Sequence, residues 1–191
     1  MDSMFTALIE LLKTPLRHDR GVKTDSSVLL IYPPDRELDF REHLLDTFVP
    51  ELDAKNIPHR LLDLSGFLFS GLSDEQIESL QEDEFEDYRW MKQGLSKRAE
   101  AALHARLTEE ASKVPGGNVL VYATVALHPV VRYGEVLKGL RDLDARIVLG
   151  FPGEERGGKL HFMNQADGAN YLAVKLFARW GKTTPPGRAS T

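Results

Sequence analysis

The sequence contains no cysteine. That excludes disulfides, thiol nucleophiles and cysteine-ligated metal sites, and it fits a reducing compartment. No apolar run approaches the roughly 20 residues a membrane-spanning helix needs. Residues 1–12 form a short apolar segment interrupted by Asp2 and Glu10, with no basic stretch before it. It does not read as a secretory signal, and no membrane segment is expected. Basic charge is in deficit, with 24 Lys and Arg against 29 Asp and Glu and a net charge of −5. The deficit weighs against a dedicated nucleic-acid binder and leaves direct binding through a local basic face open.

Phosphate-binding glycine loops are also missing. No G-x-G-x-x-G follows any predicted strand. Gly181-Lys182-Thr183 resembles the end of a Walker motif, but Leu176 stands where the first glycine belongs, and Pro185-Pro186 blocks the helix that should follow. The six histidines, at 18, 43, 59, 104, 128 and 161, form neither H-x-H nor H-E-x-x-H. Ser65 is not in a G-x-S-x-G turn. No catalytic residue, metal ligand or cofactor is therefore assigned.

What the chain does have is 191 residues, 42% apolar and 28% charged, ordinary values for one soluble α/β-sized domain. Its organising stretch is residues 118–158. Apolar runs at 118–123 and 145–151 read as strands. Between them Val130, Val131, Val136, Leu137 and Leu140 recur at helical spacing, so residues 129–143 predict a helix and the whole a βαβ unit. Such a right-handed crossover makes its strands parallel.

Taken in order, Phe5, Leu8, Ile9 and Leu12 predict a first helix over residues 4–13. Residues 27–32 and 58–64 predict two more strands. Between them lies a helix running to about residue 55, capped by Asp35 or Asp39 and kinked or shortened by Pro50. Ser73 and Gln76 fit a capping box that opens a charged insertion at about 73–113. Its first part is acidic and its second basic. Two helices, about 74–91 and 95–113, are expected to fold back as a hairpin with Gly94 near the bend. The ordinary reading of this segment is a solvated helical face. The sharper one is a partner-docking arm presenting Phe85 and Trp90. Residues 159–163 suggest a strand. Residues 170–178 fit a strand or a helix, with strand preferred, and residues 181–191 are expected to form a disordered tail.

The fold class expected is α/β: a three-layer Rossmann-like domain over residues 1–180, with a mostly parallel sheet and the helical insertion. If doubly wound, the four strands would run second, first, third, fourth, with the switch point between the first and third. Ligands of such sheets sit beyond the carboxyl ends of the strands. There the sequence places Asp35, Asp63, His128, Arg132, Pro152, Gly153 and Glu154. Arg132 falls in the first turn of its predicted helix, where a cation opposes the dipole. It is read as paired to Asp35 or Asp63, or else as recognising an anion or a partner. His128 with either acid would suit acid–base work if they met. Gly153, Gly157 and Gly158 bracket Glu154, Glu155 and Arg156, and two adjacent acids there favour a hairpin turn over a phosphate site.

The motifs V-L-L-I-Y-P-P-D-R from Val28, H-P-V-V-R-Y-G-E-V-L-K-G-L from His128, and R-I-V-L-G-F-P-G-E-E-R-G-G-K-L from Arg146 resemble the BrxB family of bacterial BREX phage-defence systems. The likeness runs in order over about residues 28–177. The family pattern places motif residues at Asp35, Pro129, Arg132, Pro152, Gly153 and Tyr171, and Leu172-Ala173 departs from its aromatic–Arg pair. The resemblance implies a cytoplasmic accessory component of a defence complex and brings no catalytic residue with it. Since the sequence also lacks nucleotide-binding loops, the preferred role is a non-enzymatic module that bridges partners. Those partners would be the PglZ-type alkaline-phosphatase-like protein and, as a second candidate, the BrxC-type ATPase. Two alternatives stand beside it: a nucleotide or phosphoester hydrolase using strand-end acids, and a nucleic-acid adaptor using Lys13, Arg17, Arg20 and Lys23.

Overall fold

The structure is a computed structural model that describes residues 1–14, 16, 27–70, 72–140, 143–166 and 173–179, with only the backbone described at 80–92. Helix α1 spans Asp2–Leu12 and buries Met4, Phe5, Leu8, Ile9 and Leu12, the stripe that sequence spacing predicts. Strand β1 is Val28–Tyr32, buried at every position. A 3₁₀ turn, Pro34–Arg36, leads into α2, Glu37–His43. A π-helical segment, Leu44–Phe48, and α3, Val49–Ala54, follow without a break. Pro50 explains the widened turn. Its ring cannot sit under the carbonyl four residues back, and a π turn relieves that clash without ending the helix. Phe40, Leu44, Phe48 and Leu52 face inward along the whole stretch.

Strand β2 is His59–Asp63, and β3 is Asn118–Tyr122. They are joined by α4, Asp74–Ser112, a helix of 39 residues. It opens with the expected capping box: the Gln76 backbone nitrogen donates to Ser73 Oγ at 3.3 Å, and the Ser73 backbone nitrogen donates to Gln76 Oε1 at 3.0 Å. The expected break at Gly94 does not occur, and the helical hairpin does not form. One glycine costs a helix about 1 kcal/mol, which neighbours such as Met91, Lys92, Gln93, Leu95 and Lys97 offset through their own helix propensity. The second half is the anchored one. Ala99, Leu103, Leu107 and Ala111 are buried at four-residue steps. Glu110, only 1% exposed, receives Arg60 at 2.9 Å, Arg106 at 3.1 Å and Lys113 at 2.9 Å, fastening the helix to β2.

Beyond β3 a 3₁₀ turn, Thr124–Leu127, precedes α5, Tyr133–Lys138. This is the predicted crossover helix, shorter than expected because its first residues form turns. Strand β4 is Arg146–Arg156; β5 is Lys159–Phe162, β6 Gln165–Ala166 and β7 Val174–Phe177. Gly157 and Gly158 have φ of +56° and +76°, so the glycine-rich turn closes the β4–β5 hairpin. The strand preferred near the carboxyl end of the sequence is present as β7. Tyr171, residues 167–172 and the tail at 181–191 lie outside the described residues.

The seven strands form a mostly parallel α/β sheet of Rossmann-like, three-layer type. Its parallel part runs β2-β3-β4-β1-β7, while β5 lies antiparallel to β4 and β6 antiparallel to β5. This corrects the expected order, which set β1 between β2 and β3 and left β4 at an edge. The reason is burial. Residues 146–153 of β4 are buried without interruption, as is all of β1, and such strands need a neighbour on each side. They pair at the centre, Val28 opposite Val148 through Tyr32 opposite Pro152. The strand with polar, exposed positions, β2, takes the edge. Helices α4 and α5 and the β5 strand cover one face, while α1, α2 and α3 cover the other.

Candidate functional site

Two groups of side chains lie at the carboxyl ends of the parallel strands. The first covers the place where β1 and β4 send the chain to opposite faces, the usual ligand crevice of such a sheet. Here the crevice is filled from within. Tyr32 stacks on Phe40 with ring centroids 3.9 Å apart, and both lie against Gly150, where a side chain would meet the Phe40 ring at 3.0 Å. Tyr32 donates to Glu37 Oε2 at 2.6 Å. Burial, with the Glu37 charge second, pushes the Tyr32 phenol well above its usual range. Burial also raises the Glu37 carboxyl, although Tyr32 and Arg41 pull the other way.

Next to it Arg41 lies 3.4 Å from Asp63 Oδ2, with its guanidinium 5.5 Å from the centre of the Tyr122 ring. Burial disfavours the charged Asp63, but the Ser65 nitrogen at 2.8 Å, a Tyr122 hydrogen bond and Arg41 outweigh it and lower its pKa. Asp63 is therefore committed to Arg41 and not to Arg132. Asp35 is exposed on the 3₁₀ turn and joins neither group. Among the described residues no three acidic or histidine side chains converge as a metal site.

The second site lies on the α4–α5 face. A cleft of about 640 Å³ is bounded by Gln93, Ser96, Lys97 and Glu100 of α4, by the chain from His128 to Arg132 with Glu135, and by Phe162, Gln165 and Ala166 of the hairpin. Hydrogen bonds hold its walls. Ser96 Oγ donates to the Val130 carbonyl at 2.6 Å, and the Arg132 nitrogen donates to Glu100 Oε1 at 3.1 Å. Below, the Tyr133 hydroxyl donates to the Thr124 carbonyl at 2.6 Å, and Thr124 Oγ1 donates to the Gly150 carbonyl at 2.8 Å. Phe162 sits at the centre of an aromatic group, 5.7 Å from His128, 5.2 Å from Tyr133 and 5.1 Å from Phe151.

Of the residues singled out in the sequence, His128, Pro129 and Arg132 meet in this cleft. His128 does not meet Asp35 or Asp63. The expected pairing of Arg132 with Asp35 or Asp63 is overturned: its side chain is exposed and makes no ion pair among the described residues, and Asp63 pairs with Arg41. It sits at the start of α5, on the sheet face opposite α2, where its exposed side chain meets the helix dipole through solvent that weakens the penalty. Pro152 and Gly153 are buried in β4, where a Gly153 side chain would collide with the His161 carbonyl, and Glu154 pairs with Arg156. These three shape the hairpin wall. Sequence reading missed Ser96 and Glu100, which stand one turn apart in a charge-rich helix where no motif marks them. The side chains of Phe85 and Trp90 lie outside the described residues. Of the basic group, Lys13 pairs with Glu10 at 2.6 Å, while Arg17, Arg20 and Lys23 lie outside the description.

A second, apolar groove of about 470 Å³ runs between the turn carrying Phe67 and Leu68 and the α4 residues Leu95, Ala99 and Ala102. No helix among the described residues is long and apolar enough to cross a membrane. No family model, curated protein or solved structure matches the chain.

Proposed function

We propose that the chain is a non-enzymatic assembly component of a BREX-type phage-defence complex, acting in the cytoplasm to bridge partner proteins. The reading rests on the likeness of its motifs to the BrxB family. The observation that carries it is the open cleft on the α4–α5 face. One of the two segments with the most specific resemblance, Pro129 to Arg132, forms its wall, and the Arg132 side chain stands exposed and unpaired among the described residues. A surface held rigid from behind by Ser96, Glu100 and Tyr133 suits docking, since recognition costs less when the groups are already ordered. The filled crevice at Tyr32 and Phe40 supports the same reading over nucleotide or phosphoester hydrolysis.

The test is purification of the tagged chain from cells expressing its native operon. The PglZ-type protein is expected to accompany it, and the BrxC-type ATPase is the second candidate. Recovery of the chain without either protein, or phosphoester turnover by the isolated chain above that of an Asp63→Asn control, would overturn the proposal.

A further inference from the structure

The charges in the cleft are not equivalent. Glu100 already accepts the Arg132 backbone nitrogen, and Glu135 pairs with Lys138 at 2.7 Å. Both carboxylates are thus engaged within the chain. Lys97 and Arg132, by contrast, are exposed and make no ion pair among the described residues. Glu135 is offset by Lys138, whereas Glu100 accepts only neutral donors and keeps its charge. Among the described residues the cleft therefore sets two cations, Lys97 and Arg132, against one uncompensated carboxylate. Around the two cations the wall offers apolar surface from Pro129, Val130 and Phe162, and the Gln93 and Gln165 amides, which can pair with a peptide backbone.

We propose that the cleft binds an acidic segment of a partner protein, whose carboxylates pair with Arg132 and Lys97 while its apolar side chains rest on Pro129, Val130 and Phe162. This inference deepens the docking role proposed above and rests on it. The guanidinium of Arg132 matches a carboxylate through two parallel hydrogen bonds, and Lys97 adds a second, less directional contact. A nucleic-acid strand fits less well. It requires a run of cations along its backbone, and the described residues of the cleft supply two without an ion pair, Lys97 and Arg132.

Two measurements on the full chain test this. In the first, the complex purified from the operon is treated with a carbodiimide, which joins a lysine amine to a carboxylate in direct contact. Mass spectrometry is expected to find Lys97 joined to an Asp or Glu of the partner. R132E and K97E should each lower partner recovery at least tenfold, with unchanged thermal melting. A partner recovered equally by wild type and the double variant overturns the inference and leaves the bridging role standing. In the second, fluorescence anisotropy compares a labelled dodecapeptide of repeated Glu-Val-Glu-Gly with its Gln and Lys counterparts and with a single-stranded DNA oligomer. The Glu peptide alone is expected to saturate, and R132E should weaken it at least tenfold. No saturable binding of the Glu peptide, or DNA binding that R132E abolishes, overturns the inference whatever the first measurement shows.

Discussion

At the scale of single residues, the exposure of Arg132 decides what its side chain contributes to stability. A buried Arg–carboxylate pair would lose roughly 3–5 kcal/mol on removal of one partner. The exposed guanidinium has no such partner among the described residues, and its structural contribution is the backbone nitrogen bonded to Glu100, which alanine keeps. Arg132→Ala is therefore expected to change unfolding free energy by less than about 0.5 kcal/mol, the range of ordinary surface substitutions. Denaturant titration checks this, and a loss of several kcal/mol would show a hidden partner. Glu37 behaves differently. Its carboxyl is raised by burial, so the folded state holds that proton more tightly than the unfolded chain does. The favourable contribution is therefore complete below the unfolded pKa and is lost as pH rises through the raised folded value. Glu37→Gln keeps an acceptor for the Tyr32 hydroxyl and removes the titration. The variant should gain on wild type in melting temperature as pH rises from 4 to 8. Parallel curves across that range would rule the effect out.

At the scale of elements, sequence periodicity located most of the helices and strands because burial leaves a period. The α1 stripe, β1, β2, β3 and the core of β4 all stand where alternation or continuous apolar runs placed them. The capping box at Ser73 was legible too, because it depends on two residues three apart. Gly94 misled. A glycine signals a break only if its neighbours supply turn chemistry, and in α4 they are helix formers. The continuous helix makes a prediction that a bend there would reverse. Gly94 is exposed, and an added side chain would meet nothing within 4 Å. Gly94→Ala should stabilise the protein by about 1 kcal/mol, the helix-propensity difference between the two residues. Destabilisation in chemical unfolding would restore the hinge.

At the scale of the whole molecule, the fold class was readable but the strand order was not, since order depends on which strands can tolerate an edge. The uninterrupted burial of β4 held that information, and it was outweighed by the pattern of familiar doubly wound sheets. The same argument governs the site. Pattern alone gathered Asp35, Asp63, His128 and Arg132 at one end of the sheet, whereas the crossovers distribute them over its two faces. His128 and Arg132 reach the cleft because the turn before α5 carries them toward α4. Asp63 reaches Arg41 because α2 covers the other side. Function then turns on what occupies the crevice between β1 and β4. A nucleotide there needs backbone amides that approach the phosphates, which glycine loops or helix N-termini supply. Instead, β1 runs into Pro33-Pro34, whose nitrogens carry no hydrogen, and β4 continues past the sheet into a hairpin. Tyr32 and Phe40 stack in the remaining space against Gly150. The isolated protein is accordingly expected to show no micromolar affinity for ATP by calorimetry. Widening the crevice by Phe40→Ala should not create affinity, because the missing part is the donor cradle and not the volume. Binding by wild type with turnover above a mutant control would sink this account. Binding by Phe40→Ala alone would show that the aromatic stack, and not the absence of donors, excludes the nucleotide.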